Sequence, residues 1–367
     1  MEINVEQSKL AKALSIVSRI TGGSRTTLPI LNNVLMEAKD NKVTLVTTNL
    51  DMAINYYLPT TLAKDGKITV PAKLLADFVS NLPKGEVKIQ VNQEKLTVSE
   101  GKYKSVFNGN AAEDFPELPE FDEKSAISFQ MGIDEFRLGM NAVKIACSSD
   151  TTRPTLTGIY FNSFDGGLYV AATDGYRLAE KKLINKIESE IKAIVPVQCI
   201  VDVLGAISDN MENIEILFDE FQVRFRLGEI EIISKLIDGA FPDYRKLIPE
   251  KSQVEILLNK AELLRGVKLA ALFSRATSGS IVCESKKDEQ VFVVSSVLNE
   301  FGENKSEIEA EISNDAKVVL NSKYLNDVLL VLDEDELKFG ISGKLSPVLI
   351  QNKNSFDYTH IIMPLKS

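Results

Sequence analysis

Three stretches decide how this chain folds: PAKLLADFVSNL at 71–82, PVQCIVDVLGAI at 196–207 and NSKYLNDVLLVL at 321–332. They sit 125 residues apart, and the apolar positions coincide: Leu75, Phe78, Val79 and Leu82; Ile200, Val203, Leu204 and Ile207; Leu325, Val328, Leu329 and Leu332. That i, i+3, i+4, i+7 spacing predicts one amphipathic helix three times over. Upstream of each lies a second helical pattern, Leu10, Leu14, Val17, then Phe136, Met140, Val143, then Leu263, Val267, Ala270, at offsets of 126 and 127. Amphipathic helices are common and some align by chance. Two independent triplets sharing one period favour a triplicated unit of about 125 residues.

Between the helices the pattern changes to alternation, as in Val43, Leu45 before Thr47 and Leu168, Val170 before Ala172, which predicts strands. After the second helix come hairpin patterns. Val87, Ile89 and Val91 turn through Asn92-Gln93 into Leu96 and Val98, and Ile214, Ile216, Phe218 lead to Val223, Phe225, Leu227. Phe115-Pro116 and Phe241-Pro242 recur 126 apart, and proline there suits a strand end or a connector. The expected class is α+β, with domains at 1–122, 123–250 and 251–367.

Composition limits the chemistry. A chain of 367 residues, 44% hydrophobic and 26% charged, is too long for one average core and is globular in type. No basic segment with an apolar run opens the chain and no 18 consecutive apolar residues occur, so the expectation is a soluble, cytoplasmic protein without a membrane partner. Cys147, Cys199 and Cys283 are far apart among apolar neighbours and read as reduced, mostly buried thiols. The single histidine, His360, reads as a packing or surface residue. No phosphate loop or cation loop is formed: Gly340 to Lys344 lacks the spacing for the first, and Asp333 to Glu336 reads as a solvated turn. No catalytic residue, metal site or cofactor is expected.

Net charge is −10 with a pI near 5.0, which argues against a nucleic-acid partner. The distribution tempers this. The six helical segments together carry +5, leaving −15 for the rest, so helices on a common surface would form an electropositive patch in an acidic body. An imbalance of that size also arises by chance, and it removes the objection without naming a partner.

Four motifs, Leu28-Pro29-Ile30-Leu31, Thr173-Asp174-Gly175-Tyr176-Arg177-Leu178-Ala179, Phe241-Pro242-Asp243-Tyr244-Arg245 and Met363-Pro364-Leu365, stand in the order and spacing of bacterial DNA polymerase III beta subunits, the beta sliding clamps. The chain resembles that family along its whole length. The resemblance implies three clamp-type domains with helices inside and antiparallel sheets outside, two chains closing head to tail into a ring around double-stranded DNA. It also implies a processivity factor that tethers DNA polymerase subunits, the clamp loader and repair proteins through a clamp-binding peptide.

The residues that the resemblance points to follow. For DNA they are Lys9, Lys12, Arg19, Arg25, Lys73, Arg137, Lys144, Arg153, Lys260, Arg265, Lys268, Arg275 and Lys323. For the partner peptide they are Leu156, Thr173, Gly175, Tyr176, Arg177, Leu178, Pro242, Lys246, Leu247, Ile361, Met363, Pro364 and Leu365, apolar walls with Arg177 fixing polar atoms of the peptide. For the dimer they are Phe107 on one copy facing Leu272 and Phe273 on the other, although Leu272 and Phe273 also read as core positions of their own helix. The chain departs from the family at Gln198, where a basic residue is common, at Tyr176, at Ser105 and at the Lys366-Ser367 terminus. Two other classes compete with the clamp: a protein-binding scaffold without DNA encirclement, and an α+β enzyme whose site is not apparent. Retention on circular but not linear DNA separates the first, and turnover separates the second.

Overall fold

The computed structural model describes residues 1–21, 28–118, 121–274, 278–296 and 302–366. Among them are six α-helices, α1 (Gln7–Val17), α2 (Ala72–Ser80), α3 (Ile133–Lys144), α4 (Val197–Ala206), α5 (Lys260–Phe273) and α6 (Ser322–Val331), at the six places the repeat predicts. The faces are also as expected. Leu10, Leu14, Val17, Phe136, Met140, Val143, Leu263, Val267 and Ala270 are all fully buried, because each helix turns its apolar stripe onto sheet. In the third repeat both helices start on an asparagine cap: Asn259 accepts from the backbone N–H groups of Ala261 and Glu262, and Asn321 from those of Lys323 and Tyr324.

The chain condenses into two compact units, Met1–Asp134 with Gln198–Leu236, and Glu135–Val197 with Ile237–Ser367. The first unit holds a five-stranded and an eight-stranded antiparallel sheet. The second holds one sheet of twelve strands. The units do not follow the repeat. Strand Ile230–Lys235 of the middle repeat pairs with Met52–Pro59 of the first inside unit one, and strand Arg177–Ile184 of the middle repeat pairs with Tyr358–Ile362 of the third inside unit two. Main-chain ladders therefore run through both joints as continuously as they run within a repeat, and the middle repeat is shared between its neighbours.

Local details match their chemistry. The hairpin between Glu86–Asn92 and Lys95–Glu100 turns at Gln93 with φ of +54°. Phe115-Pro116 and Phe241-Pro242 lie in connectors outside any strand, where proline's missing N–H costs no ladder bond. The three cysteines are free; burial pushes the Cys147 and Cys283 thiols up to about 12 and raises Cys199 as well, which leaves them unreactive at neutral pH. His360 is fully buried, its Nδ1 3.0 Å from the Tyr358 hydroxyl, so of the two expectations for it packing is the outcome.

Candidate functional site

In unit two, the turn from Thr173 to Arg177 is fastened by its own side chains. Thr173 Oγ1 donates to the Arg177 carbonyl (2.7 Å) and accepts from the Gly175 N–H (3.1 Å). Asp174 Oδ1 accepts from the N–H groups of Tyr176 (2.9 Å) and Arg177 (3.0 Å). Gly175 takes φ of +90°, a conformation that side-chain-bearing residues reach only with strain. The turn presents Gly175 and Tyr176 to solvent, and the Tyr176 carbonyl accepts from the Met363 N–H (2.8 Å), which draws the C-terminal segment alongside.

Beneath this surface Leu178 and Ile361 pack with Ala171, Tyr244 and Leu349 in a buried cluster, against which Tyr160, Phe241 and Ile248 lean. Of the residues expected to hold a peptide, Leu156, Thr173, Leu178 and Ile361 are thus floor and frame. Gly175, Tyr176, Pro242, Lys246 and Leu247 are exposed, and Met363, Pro364 and Leu365 are half-buried. The exposed apolar side chains are the ones with contact area to give. Lys246 is paired with Asp243 (2.6 Å), which holds its pKa above the ordinary lysine value.

Arg177 is engaged within the protein. Its side chain is only 7% exposed, its Nε meets Asp174 Oδ2 at 3.1 Å, one Nη meets Asp327 Oδ2 at 2.7 Å, and the guanidinium lies 4.3 Å from the Tyr324 ring centroid. Those contacts engage the planar fork within the protein, so Arg177 positions the turn against α6. Its partners Asp327 and Tyr324 carry no sequence signal beyond helical periodicity. A second support, also missed, is Arg245: it stacks on Phe164 (3.8 Å) and Tyr169 (4.4 Å) and meets Glu180 (2.8 Å), which accepts from the Tyr244 hydroxyl (2.5 Å). Together they hold the Tyr244–Leu247 turn in place.

Unit one contains the same frame. Thr48 Oγ1 donates to the Met52 carbonyl (2.8 Å) and accepts from Leu50, Asn49 Oδ1 accepts from Asp51 and Met52, and the Lys235 N–H donates to the Asp51 carbonyl (2.9 Å). The side chains differ. Leu50 stands where unit two has Gly175, and Asp51 is tied to Lys235 (3.2 Å). The cavity among Leu50, Met52, Ala53, Leu118 and Ile233 is about 10 Å³, no more than one water.

The basic residues divide by environment. Lys9, Lys12, Arg19, Lys73, Arg153, Arg265, Lys268 and Lys323 are exposed. Three differ. Lys144 donates to Asn141 (2.6 Å), Lys260 donates to the Leu332 carbonyl just past α6 (3.0 Å), and these two and Arg137 are half-buried, while among the exposed residues Lys9 meets Glu6 at 3.6 Å and Arg153 meets Asp150 at 3.5 Å. Arg25 and Arg275 lie outside the described residues. Gln198 donates to Asp202 (3.1 Å), whose pKa burial raises while that bond and the Arg19 charge oppose the rise. The solvent-facing sides of the helices also carry Leu74, Leu138, Val201, Leu269 and Leu330, which the charge count did not anticipate.

Of the seam residues, Phe107 is buried and meets Phe78 edge to face with ring centroids 5.4 Å apart. Leu272 is 58% exposed, which overturns the reading of it as core. Phe273 is half-buried beside Gly302. Among the described residues no group of His, Cys, Asp and Glu is placed to hold a metal ion, and no helix is long and apolar enough to cross a membrane.

Three family models match consecutive spans: the DNA polymerase III beta subunit N-terminal domain at residues 1–119, its central domain at 130–243 and its C-terminal domain at 245–366. The beta sliding clamp of Staphylococcus epidermidis is 30% identical over 355 residues, covering 94% of this chain and 93% of that protein, and that of Staphylococcus aureus is 29% identical over the same length. Among solved structures, the DNA polymerase sliding clamp of Bacillus subtilis superimposes with a TM-score of 0.94 at 28% identity, covering 100% of this chain and 99% of that one. The sliding clamp of Bartonella birtlesii, solved bound to griselimycin, matches with a TM-score of 0.93 at 28% identity over the full length of both chains.

Proposed function

The chain belongs to the DNA polymerase III beta subunit family, the beta sliding clamps, and is a non-catalytic processivity factor of DNA replication; on that premise we propose that two copies close head to tail around duplex DNA. The domain spans are 1–122, 123–250 and 251–367; the first boundary falls in the interval between the family models at 1–119 and 130–243, and the second lies a few residues past the junction of the models at 130–243 and 245–366. The observation that carries encirclement is the charge pattern. In a chain of net −10, the exposed Lys9, Lys12, Arg19, Arg265 and Lys268 lie on or beside the two first helices of the outer repeats. Such residues touch phosphates without reading base edges, so the grip is sequence-independent and weakened by salt. The exposed leucines among them keep phosphate contacts sparse, which suits sliding. Retention then comes from topology.

The partner surface is the face of unit two formed by Tyr176, Pro242, Leu247, Met363, Pro364 and Leu365 over the buried Leu178 and Ile361 floor. It receives an extended peptide with apolar anchors from polymerase subunits, the clamp loader and repair proteins, and Arg177 acts by holding the Thr173 to Arg177 turn. Support comes from the Bartonella birtlesii clamp, solved bound to griselimycin. Tethering makes each return of a polymerase to DNA intramolecular, which raises its effective concentration. The place of action is the cytoplasm, with the chromosome.

A topological experiment tests this reading. Protein is loaded on nicked plasmid, the plasmid is isolated and then cut once. Release on cutting is expected, while retention on linear DNA would mean ordinary surface contact, and no retention on the circle would leave a scaffold without DNA.

A further inference from the structure

Among the six described helices α4 alone carries no lysine or arginine: Val197–Ala206 holds Asp202 as its single charge. The repeat shows what is missing. Lys73 at the start of α2 and Lys323 at the start of α6 are exposed, and the residue 125 positions from each is Gln198. The exposed stripe of α4 runs through Gln198, Val201 and Gly205, one helix face with no cation of its own.

A cation reaches that face from another repeat. Arg19 stands in the short 3-10 turn Ser18–Ile20 that follows α1. A Cβ built at Gly205 would fall 1.6 Å from Arg19 Nη1, 2.4 Å from its Cζ and 2.8 Å from its Nη2, so the guanidinium fills the volume that any side chain at 205 would take. Gly205 lies within α4 without a positive φ, where glycine is among the poorest helix formers. The space, and not the backbone, accounts for glycine there.

Both ends of the arginine are held. At its base, Thr47 Oγ1 donates to the Val17 carbonyl (2.6 Å), Thr21 Oγ1 donates to the Ser18 carbonyl (2.8 Å), and Ile20 is buried. At its head, Asp202 lies one turn before Gly205. Burial raises the Asp202 pKa while the bond from Gln198 and then the Arg19 charge oppose the rise, and by the same coupling the carboxylate attracts the guanidinium. Arg19 remains exposed all the same. The arrangement is particular to the first joint: by the offsets of the repeat Arg19 corresponds to Ile145 and Leu272, and Gly205 to Ser80 and Leu330.

We infer that Gly205 is the seat that positions Arg19 over the middle repeat, so that the first repeat supplies the phosphate-contacting cation that α4 lacks. The inference rests on the encirclement reading and adds to it the means by which one contact is placed. Without Arg19, α4 would offer a phosphate only the negative charge of Asp202. With it, a planar donor fork stands about 10 Å along the helix from Gln198. Arg19 is then the contact, and Gly205 a positioning residue that acts through it.

One methyl group tests the seat. In full-length Gly205→Ala the added Cβ evicts the guanidinium, which as the end of a flexible side chain swings away, and alanine is the better helix former, so the thermal midpoint is expected to hold or rise. Affinity for a short duplex is read by fluorescence anisotropy across a sodium chloride series for the wild type, Arg19→Ala, Gly205→Ala and the double variant. Arg19→Ala is expected to flatten the slope of log affinity against log salt by about 0.9, the value for one lost phosphate contact. Gly205→Ala is expected to flatten it as much although it removes no charge, and the double variant no further. A Gly205→Ala slope equal to that of the wild type overturns the seat, and so does a double variant flatter than either single one. The plasmid release test on the wild type separates the two readings. Release on cutting together with an unchanged Gly205→Ala slope removes the inference and leaves encirclement standing. Retention on linear DNA removes encirclement, and with it the placing of this contact inside a ring.

Discussion

Replacing Arg177 tests whether this residue is a support or a ligand contact. Its guanidinium is shared between Asp174 and Asp327, whose side chains are 14% and 23% exposed, and it stacks on Tyr324. Arg177→Ala leaves two largely buried carboxylates without their cation, a loss that costs about 3–5 kcal/mol where both partners are fully buried. Asp327 keeps some access to water, so the expected destabilisation is about 3 kcal/mol at the low end of that range. Urea titration followed by circular dichroism reads it directly, and Arg177→Ala, Asp327→Ala and the double variant form a cycle that isolates the bond between them. Peptide affinity should fall as a consequence of the displaced turn and should be partly kept in Arg177→Lys, which retains the charge without the fork. A variant that loses less than about 1 kcal/mol of stability yet abolishes peptide binding would refute the supporting role, because the guanidinium would then be acting on the ligand.

Other outcomes follow from the same geometry. Phe273→Asp places an unpaired charge in the seam and is expected to give monomers in ultracentrifugation, an unchanged dimer mass being the contrary result. Neutralising Lys12, Arg265 and Lys268 together should reduce the salt dependence of DNA retention by a slope of about 0.9 for each phosphate that is no longer neutralised, with no change in sequence preference. His360 is neutral in the fold, its pKa pushed down to about 3 by burial and then by the Arg177 charge. A base with a depressed folded value stabilises fully above its unfolded pKa of about 6.5 and loses that contribution as pH falls from there toward 3. Unfolding midpoints of the wild type should thus decline across that window more steeply than those of His360→Phe, and parallel curves would show that His360 does not titrate on unfolding.

Much of the fold is legible in the residues because helix burial is a local property. The nine apolar positions of the three first helices needed only a period of 3.6 and a repeat of about 125 to be placed, and all are buried. Leu272 was ambiguous for the same reason: its spacing fits an apolar stripe one step off the buried one, and only packing shows it exposed. The supporting contacts of Arg177 were not legible because a motif identifies a residue without its partners. Asp327 and Tyr324 are 150 and 147 positions away, on a helix whose pattern reports only its buried side.

The sequence alone determined the triplication and the alternation of helix and strand, both of which depend on spacing along the chain. Tertiary structure alone decided that strands of successive repeats join into common sheets, so that the compact units number two while the repeats number three. The reason is that a joint is made by backbone groups. Every residue carries the same N–H and C=O, so the pairing of 230–234 with 52–56, and of 358–362 with 177–181, leaves almost no mark in the side chains.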